Sequence, residues 1–240
     1  MVVAGRLARV SEFAQLPLGL ALRERMTFDS FVPGANAEVL QALRRCAQGA
    51  PGILWLHGAA ASGRTHLLQA TCAACDAQRR VAYVPLRSFK GSEAEALASW
   101  SGLDCLCVDD VDRAIGGLAA ERALFALHRD AEERRAVLIV AAAAPPSQLQ
   151  WALPDIASRF AAAQVFRLRD LDDEGQAQVL RQRAASRGFE LPEETRIYLQ
   201  RRFPRNLAVL CALLDTLDVA ALSAQRRLTV PFIRQVLDRA

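Results

Sequence analysis

An apolar run at residues 53–57 (ILWLH) passes directly into Gly58-Ala59-Ala60-Ala61-Ser62-Gly63-Arg64-Thr65, and an alanine- and leucine-rich stretch follows. A strand, a glycine loop and a helix in that order confine the chain to folds in which the helix returns over a sheet, and they give the loop the context of a phosphate-binding P-loop. Its glycines permit torsions and close approaches that let successive amide N–H groups surround phosphate oxygens at a helix N-terminus. Thr65 would present its hydroxyl to Mg²⁺. Arg64 stands where lysine is usual. Arginine keeps the positive charge but replaces a compact ammonium with a planar fork.

Leu103-Asp104-Cys105-Leu106-Cys107-Val108-Asp109-Asp110 is an apolar strand ending in two carboxylates, the form of a Walker B segment. In an open parallel sheet that strand end lies at the ligand-binding edge, beside the glycine loop. Asp109 is the candidate magnesium residue, and Asp110 the candidate group to polarise an attacking water. Acidic pairs after strands also serve as helix N-caps, but the two motifs in order point to a nucleotide.

Around these motifs the chain alternates short apolar strands, expected at residues 53–57, 81–86, 104–109, 136–142 and 165–168, with helices at 65–78, 93–100, 118–134 and 153–162. That alternation predicts an α/β fold: a parallel sheet sandwiched by helices. From Asp172 onward only helical signals remain: Asp172 as an N-cap, Gly188 as a C-cap, Pro192 near a helix start, and Thr229 shortly before Pro231. The expected organisation is a tail at 1–25, a nucleotide-binding α/β domain at 26–170 and a small all-helical lid domain at 171–240.

Composition narrows the class. Of 240 residues, 52% are hydrophobic and 23% charged, which excludes a disordered or low-complexity chain. A net charge of +4 is too small to demand nucleic acid, and Lys90 is the sole lysine among 30 basic residues, so any single arginine is weak evidence. Cys46, Cys72, Cys75, Cys105, Cys107 and Cys211 lack the spacing of a disulfide framework or of two zinc half-sites. Cys72 and Cys75 read as small core side chains sharing one helix face, in a reducing compartment. The opening residues have no apolar leader, and no run approaches the roughly 18 apolar residues of a membrane span, so a cytoplasmic protein without membrane partners is expected.

With both motifs in place and a helical unit behind them, the chain resembles the DnaA-related AAA+ ATPases from about Met26 to its C-terminus. Met26-Thr27-Phe28-Asp29-Ser30-Phe31-Val32-Pro33-Gly34-Ala35-Asn36 looks like the family's segment that helps enclose adenine. The resemblance implies nucleotide contacts from Gly58 through Thr65, from Val32 and His66, and from Arg205 in the sensor 2 segment Phe203-Pro204-Arg205-Asn206-Leu207. Leu153-Pro154-Asp155-Ile156-Ala157-Ser158-Arg159-Phe160 looks like box VII, with Arg159 at the arginine-finger position. A guanidinium delivered to a neighbour's γ-phosphate is worth about 10³ to 10⁵ in rate. At the sensor 1 position stands Ala143, which can neither donate nor accept a side-chain hydrogen bond. The resemblance therefore implies ADP or ATP with Mg²⁺ as cofactors, but weak or no turnover by this chain's own site.

Gln15-Leu16-Pro17-Leu18-Gly19-Leu20 is similar to the QLxLxL peptides that dock on the DNA polymerase sliding clamp. Its leucines recur at period 2, Pro17 favours an extended backbone, and Gln15 supplies an amide for a pocket rim. The other reading of this stretch is an N-terminal arm folded back on the sheet. With the lid running to Ala240, no helix-turn-helix DNA reader is expected. This make-up is that of the family's negative regulators of replication initiation. It implies as partners the sliding clamp and the initiator DnaA, with DNA engaged mainly through the clamp, and a nucleotide-dependent homo-oligomer stays open. The alternative is an autonomous ATPase of the helicase-loader type on single-stranded DNA, which predicts intrinsic turnover and a basic, aromatic-bearing groove. A P-loop kinase would leave the lid motifs and the tail unexplained.

Overall fold

The strands are β1 (Gly52–His57), β2 (Val81–Pro85), β3 (Cys105–Asp109), β4 (Val137–Ala142) and β5 (Gln164–Arg167). They form one parallel sheet in the order β2-β3-β4-β1-β5. The structure, a computed structural model, describes residues 26–203, 206–224 and 228–237. Every residue of the central strands β3 and β4 is buried, whereas edge strand β5 is mostly exposed. Unbroken apolar runs such as VLIVAA belong where both faces are covered.

Handedness sets which helix covers which face. α2 (Arg64–Ala74) carries the chain from β1 to the far edge at β2, while α3 (Glu93–Ala98), α4 (Leu118–Arg134) and α5 (Pro154–Ala162) carry it back the other way. Right-handed crossovers therefore put α2 on one face and α3 to α5 on the other. Two separate cores follow. One joins α2 and α1 (Ala37–Ala47) through Leu43, Leu54, Leu67, Leu68 and Ile139, and the other joins α3 to α5 through Trp55, Leu97, Leu124, Leu138 and Phe160.

The lid follows β5 as α6 (Asp173–Ser186), α7 (Glu193–Arg202), α8 (Leu207–Ala224) and α9 (Val230–Leu237) around Leu180, Leu199, Leu214, Leu217 and Ile233. Asp172 caps α6 by accepting from the Gly175 amide at 2.8 Å, and Arg183 forks onto Asp215 of α8 at 3.0 and 2.9 Å. Pro192 stands at the N-cap of α7, and Gly188, at φ +80°, follows the end of α6. Leu171, packed against Gly34, and the reciprocal bonds between the Asn36 amide and the Arg169 backbone (2.8 and 3.0 Å) tie the start of the lid to the segment before α1.

Two expectations need correction. Helix α2 stops at Ala74, not residue 78, and Cys75 is extended rather than on a helix face with Cys72. The Arg79 guanidinium ends the helix by donating to the Cys46, Ala47 and Asp104 carbonyls, which requires a turn before it. Both thiols are half-buried, and all six cysteines are free. Helix α1, absent from the sequence reading, packs on the same face of the sheet as α2. Among the described residues no helix is long and apolar enough to cross a membrane.

Candidate nucleotide-binding site

The glycine loop joins β1 to α2 at the carboxyl edge of the sheet. The chain leaves β1 toward one edge and leaves the adjacent β4 toward the other, so a crevice opens between those two strand ends. The loop turns through left-handed torsions at Ala61 (φ 61°) and Gly63 (φ 99°). A side chain at Gly63 would meet the Phe31 ring at 2.7 Å, and one at Gly58 would meet the Leu168 carbonyl at 3.0 Å. Gly63 is thus required by both torsion and close approach, and Gly58 by close approach alone.

Two buried polar atoms of the loop, Ser62 Oγ and Arg64 Nη1, have no hydrogen-bond partner in the protein. A buried guanidinium N–H and hydroxyl facing no acceptor is costly unless a ligand supplies one. A polyphosphate has oxygens of the required kind and charge, so the residues present fit the group that the loop implies.

The acidic strand supplies the other half. Asp109 is 1% exposed and takes three donors: Thr65 Oγ1 at 2.6 Å and Tyr83 Oη at 2.9 Å on Oδ2, and the Asp110 amide at 3.0 Å on Oδ1. A hydroxyl paired with a buried carboxylate is an oxygen donor set suited to Mg²⁺. Burial, with help from Asp109, pushes the Tyr83 phenol up to about 12, so it stays a proton donor to the carboxylate. Asp110, at φ 56°, has its pKa raised by burial first and by the Asp109 charge second. Arg87 Nε lies 3.6 Å from Asp110 Oδ2.

A cleft of about 750 Å³ opens beside the loop between Asn36, Gly58, Ala59 and residues Arg167 to Asp170, a volume in the range of small-ligand sites. The segment expected to enclose the base lies against the first turn of α2. His66 Nε2 lies 2.8 Å from the Thr27 carbonyl, the His66 ring meets Phe31 edge-on at 5.4 Å, and Val32 is buried. The His66 side chain is thus directed at this segment rather than at the mouth of the loop. Burial first, and the positive charges of Arg167 and Arg64 second, hold the His57 imidazole below its ordinary range.

Arg159 lies elsewhere. It projects from α5 into a second cleft, of about 420 Å³, lined by Gly52, Ile53 and Gln164 at the starts of β1 and β5. The Ala143 amide, at the end of β4, donates to both carboxylate oxygens of Asp112, at 3.0 and 3.1 Å. Arg205 and the clamp-like residues Gln15, Leu16, Leu18 and Leu20 lie outside the described residues. Tyr83 and Arg87 were not singled out from sequence. No local sequence signal marks either residue: Tyr83 comes beside Asp109 only because β2 pairs with β3, with Pro85 opposite Asp109.

Residues 22–166 match the family model of the bacterial DnaA ATPase domain, and residues 173–237 match that of the Hda lid domain. Among solved structures the chain is similar to domain III of the Thermotoga maritima replication initiation protein DnaA, at 23% identity and a TM-score of 0.79 over 90% of this chain and 97% of that one. It is also similar to AMPPCP-bound DnaA from Aquifex aeolicus, at 20% identity and a TM-score of 0.65 over 80% of this chain and 64% of that one. A third likeness, to the Thermotoga maritima RuvB Holliday junction branch migration motor, has 15% identity and a TM-score of 0.61 over 84% and 68% of the two chains. At these identities the likeness is one of fold.

Proposed function

The chain belongs to the family of the bacterial DnaA ATPase domain, with the family's AAA+ fold and a helical lid behind it, and from that premise we propose that it is a negative regulator of replication initiation. On this reading it is a nucleotide-bound cytoplasmic adaptor. Its tail docks on the DNA-loaded sliding clamp through Gln15, Leu16, Leu18 and Leu20, and Arg159 completes the ATP site of a DnaA molecule, which then hydrolyses its ATP. AMPPCP in a structural relative and the unpartnered loop atoms here both support an adenine nucleotide as the ligand.

This chain's own residues divide the work. The loop amides, Ser62 and Arg64 would hold the phosphates, and the cleft beside Asn36 and Gly58 would hold the nucleoside. Thr65 and Asp109 would hold Mg²⁺, which when bound supplies charge neutralisation at the phosphates. Arg205 in the lid would report the bound phosphate as a lid angle. Asp110, paired at 3.6 Å with Arg87, and Ala143, without a polar side chain, are poorly arranged to activate water, which supports ADP retention over turnover.

Distance is the observation that carries the trans role. β1 rises about 17 Å between the cleft that holds Arg159 and the glycine loop, at roughly 3.3 Å per residue, farther than an arginine side chain reaches. That separation sets Arg159 apart from this chain's own nucleotide site and so supports a finger that would serve a nucleotide bound by another molecule.

The test is DnaA-bound ATP followed in the presence of DNA-loaded clamp. Adding the chain should accelerate hydrolysis, Arg159→Ala should not, and Gln15→Ala with Leu18→Ala should abolish both clamp pull-down and acceleration. Normal acceleration by Arg159→Ala would remove the finger assignment. Vigorous ATP turnover by the chain alone, indifferent to clamp and DnaA, would favour the autonomous helicase-loader reading.

A further inference from the structure

Arg159 is already engaged within its own chain. Its Nη1 donates to Glu132 Oε2 at 2.8 Å, and its guanidinium carbon lies 5.1 Å from the centre of the Phe125 ring. One contact gives the guanidinium a carboxylate acceptor, and the other sets its carbon over an aromatic ring. Phe125, His128 and Glu132 recur along α4 at spacings of three and four, so one helix face offers α5 a ring, an imidazole and a carboxylate in succession.

Building on the trans reading of Arg159, we propose that Glu132 is its positioning residue. The carboxylate holds the guanidinium neutralised and oriented on Phe125 until a phosphate carried by another molecule takes its place.

The surroundings favour Arg159 as the cation that Glu132 serves. His128 Nδ1 lies 3.3 Å from the same Oε2 but without hydrogen-bond alignment, and burial keeps that buried imidazole below its ordinary range. Arg135 lines the same cleft, but no ion pair joins it to Glu132 among the described residues. Arg159 and Glu132 are 39% and 46% exposed, and half-exposed pairs of this kind are weak. Weakness is what a releasable contact requires. A phosphate offers more charge and more acceptor oxygens than one carboxylate and displaces it, while the negative charge of Glu132 opposes the phosphate's approach.

Two variants separate orientation from charge. Glu132→Gln keeps an acceptor oxygen for Arg159 and removes the charge, whereas Glu132→Ala removes both. In the DnaA-ATP assay, Glu132→Gln should lower the half-saturating concentration of the chain about two- to fivefold, the range that corresponds to an exposed pair, with the maximal rate retained. Glu132→Ala should lower the maximal rate. Wild-type values for both variants, or a higher half-saturating concentration for Glu132→Gln, overturn the proposal.

A second readout needs no partner: the rate at which phenylglyoxal modifies Arg159, followed by peptide mass spectrometry with Arg129 as internal reference. Glu132→Gln should speed modification of Arg159 about two- to fivefold and leave Arg129 unchanged. An unchanged rate overturns the proposal. If Arg159→Ala still stimulates DnaA, the trans reading fails on its own, and the modification rate alone decides whether Glu132 holds Arg159.

Discussion

The Thr65 hydroxyl, in the first turn of α2, donates to Asp109 Oδ2 at the end of β3 over 2.6 Å. The two residues belong to different motifs, and β3 is not even the neighbour of β1 in the sheet, since β4 lies between them. The contact exists because the loop swings α2 across the carboxyl edge and Asp109 is the last residue of its strand. Tyr83 closes the same carboxyl group from the β2 side, so α2 and two adjacent strands converge on one buried acid.

Thr65→Ala should leave the fold intact and weaken Mg²⁺-dependent nucleotide binding about tenfold or more. A hydrogen bond to a charged group is worth about 1.5–3 kcal/mol, and here the lost hydroxyl is also a metal donor. Titrating a fluorescent nucleotide with and without Mg²⁺ checks this. Tyr83→Phe should have a smaller effect in the same assay. Equal affinities for wild type and Thr65→Ala would show that the pairing has no part in binding.

Gly63→Ala should both destabilise the protein, by about 1–3 kcal/mol for a strained left-handed residue, and weaken nucleotide binding. Its φ is +99°, and the new carbon would come within 2.7 Å of the Phe31 ring, which also packs edge-on against His66. Ala61→Gly, at φ 61°, relaxes a torsion instead and should change stability little. Urea denaturation of the two variants side by side distinguishes them; similar losses would mean that torsion at the loop is not the controlling factor.

What the sequence made legible was whatever local chemistry decides. The glycine loop, the acid-ended strand, α4 and the Pro154 start of α5 are marked by backbone needs or by unbroken apolar runs. Helix α1 was not, because its only cap signal, Asn36, directs its amide at the Arg169 backbone instead of capping α1. The end of α2 was misplaced for a related reason: residues 75–78 tolerate a helix, and a turn at Asp76, whose carboxylate accepts from the Gln78 amide at 2.8 Å, together with tertiary bonds from Arg79, stops it. In the site, Thr65 and Asp109 could be named from motifs. Tyr83 and Arg87 could not, because their nearness to Asp109 and Asp110 follows from β2 lying beside β3.

Asp110 carries a pH signature. Its carboxyl is held above its ordinary range by burial and by Asp109, against the opposing pull of Arg87, Arg64 and Arg113. The folded chain therefore binds this proton more tightly than the unfolded one, and stability falls as pH rises from the ordinary carboxylate value, about 4, through the raised folded value. Asp110→Asn removes that loss and tolerates the left-handed torsion. Its melting temperature should exceed that of wild type at pH 7, with the gap closing as pH falls below about 4. The effect is small because solvent screens the group. A gap of opposite sign at pH 7 would mean that the Arg87 pair outweighs the burial.

The carboxyl group of Glu121 ties α4 to the residues that lead into α5. It is fully buried on α4 and accepts from the Gly116 and Ala152 amides at 2.7 and 3.0 Å on Oε1 and from the Leu153 amide at 2.8 Å on Oε2. Ala152 and Leu153 lead directly into the helix that carries Arg159. In Glu121→Gln one carboxylate oxygen becomes an NH₂ that faces backbone donors, which should cost about 1–3 kcal/mol for the donors left unpaired. Urea denaturation measures that cost. Hydrogen exchange at Ala152 and Leu153 should accelerate in the same variant, because their acceptor is lost, while exchange in the β4 amides stays slow. Unchanged exchange at those two amides, with the protein folded, would show that α5 is held by the packing of Ile156 and Phe160 alone.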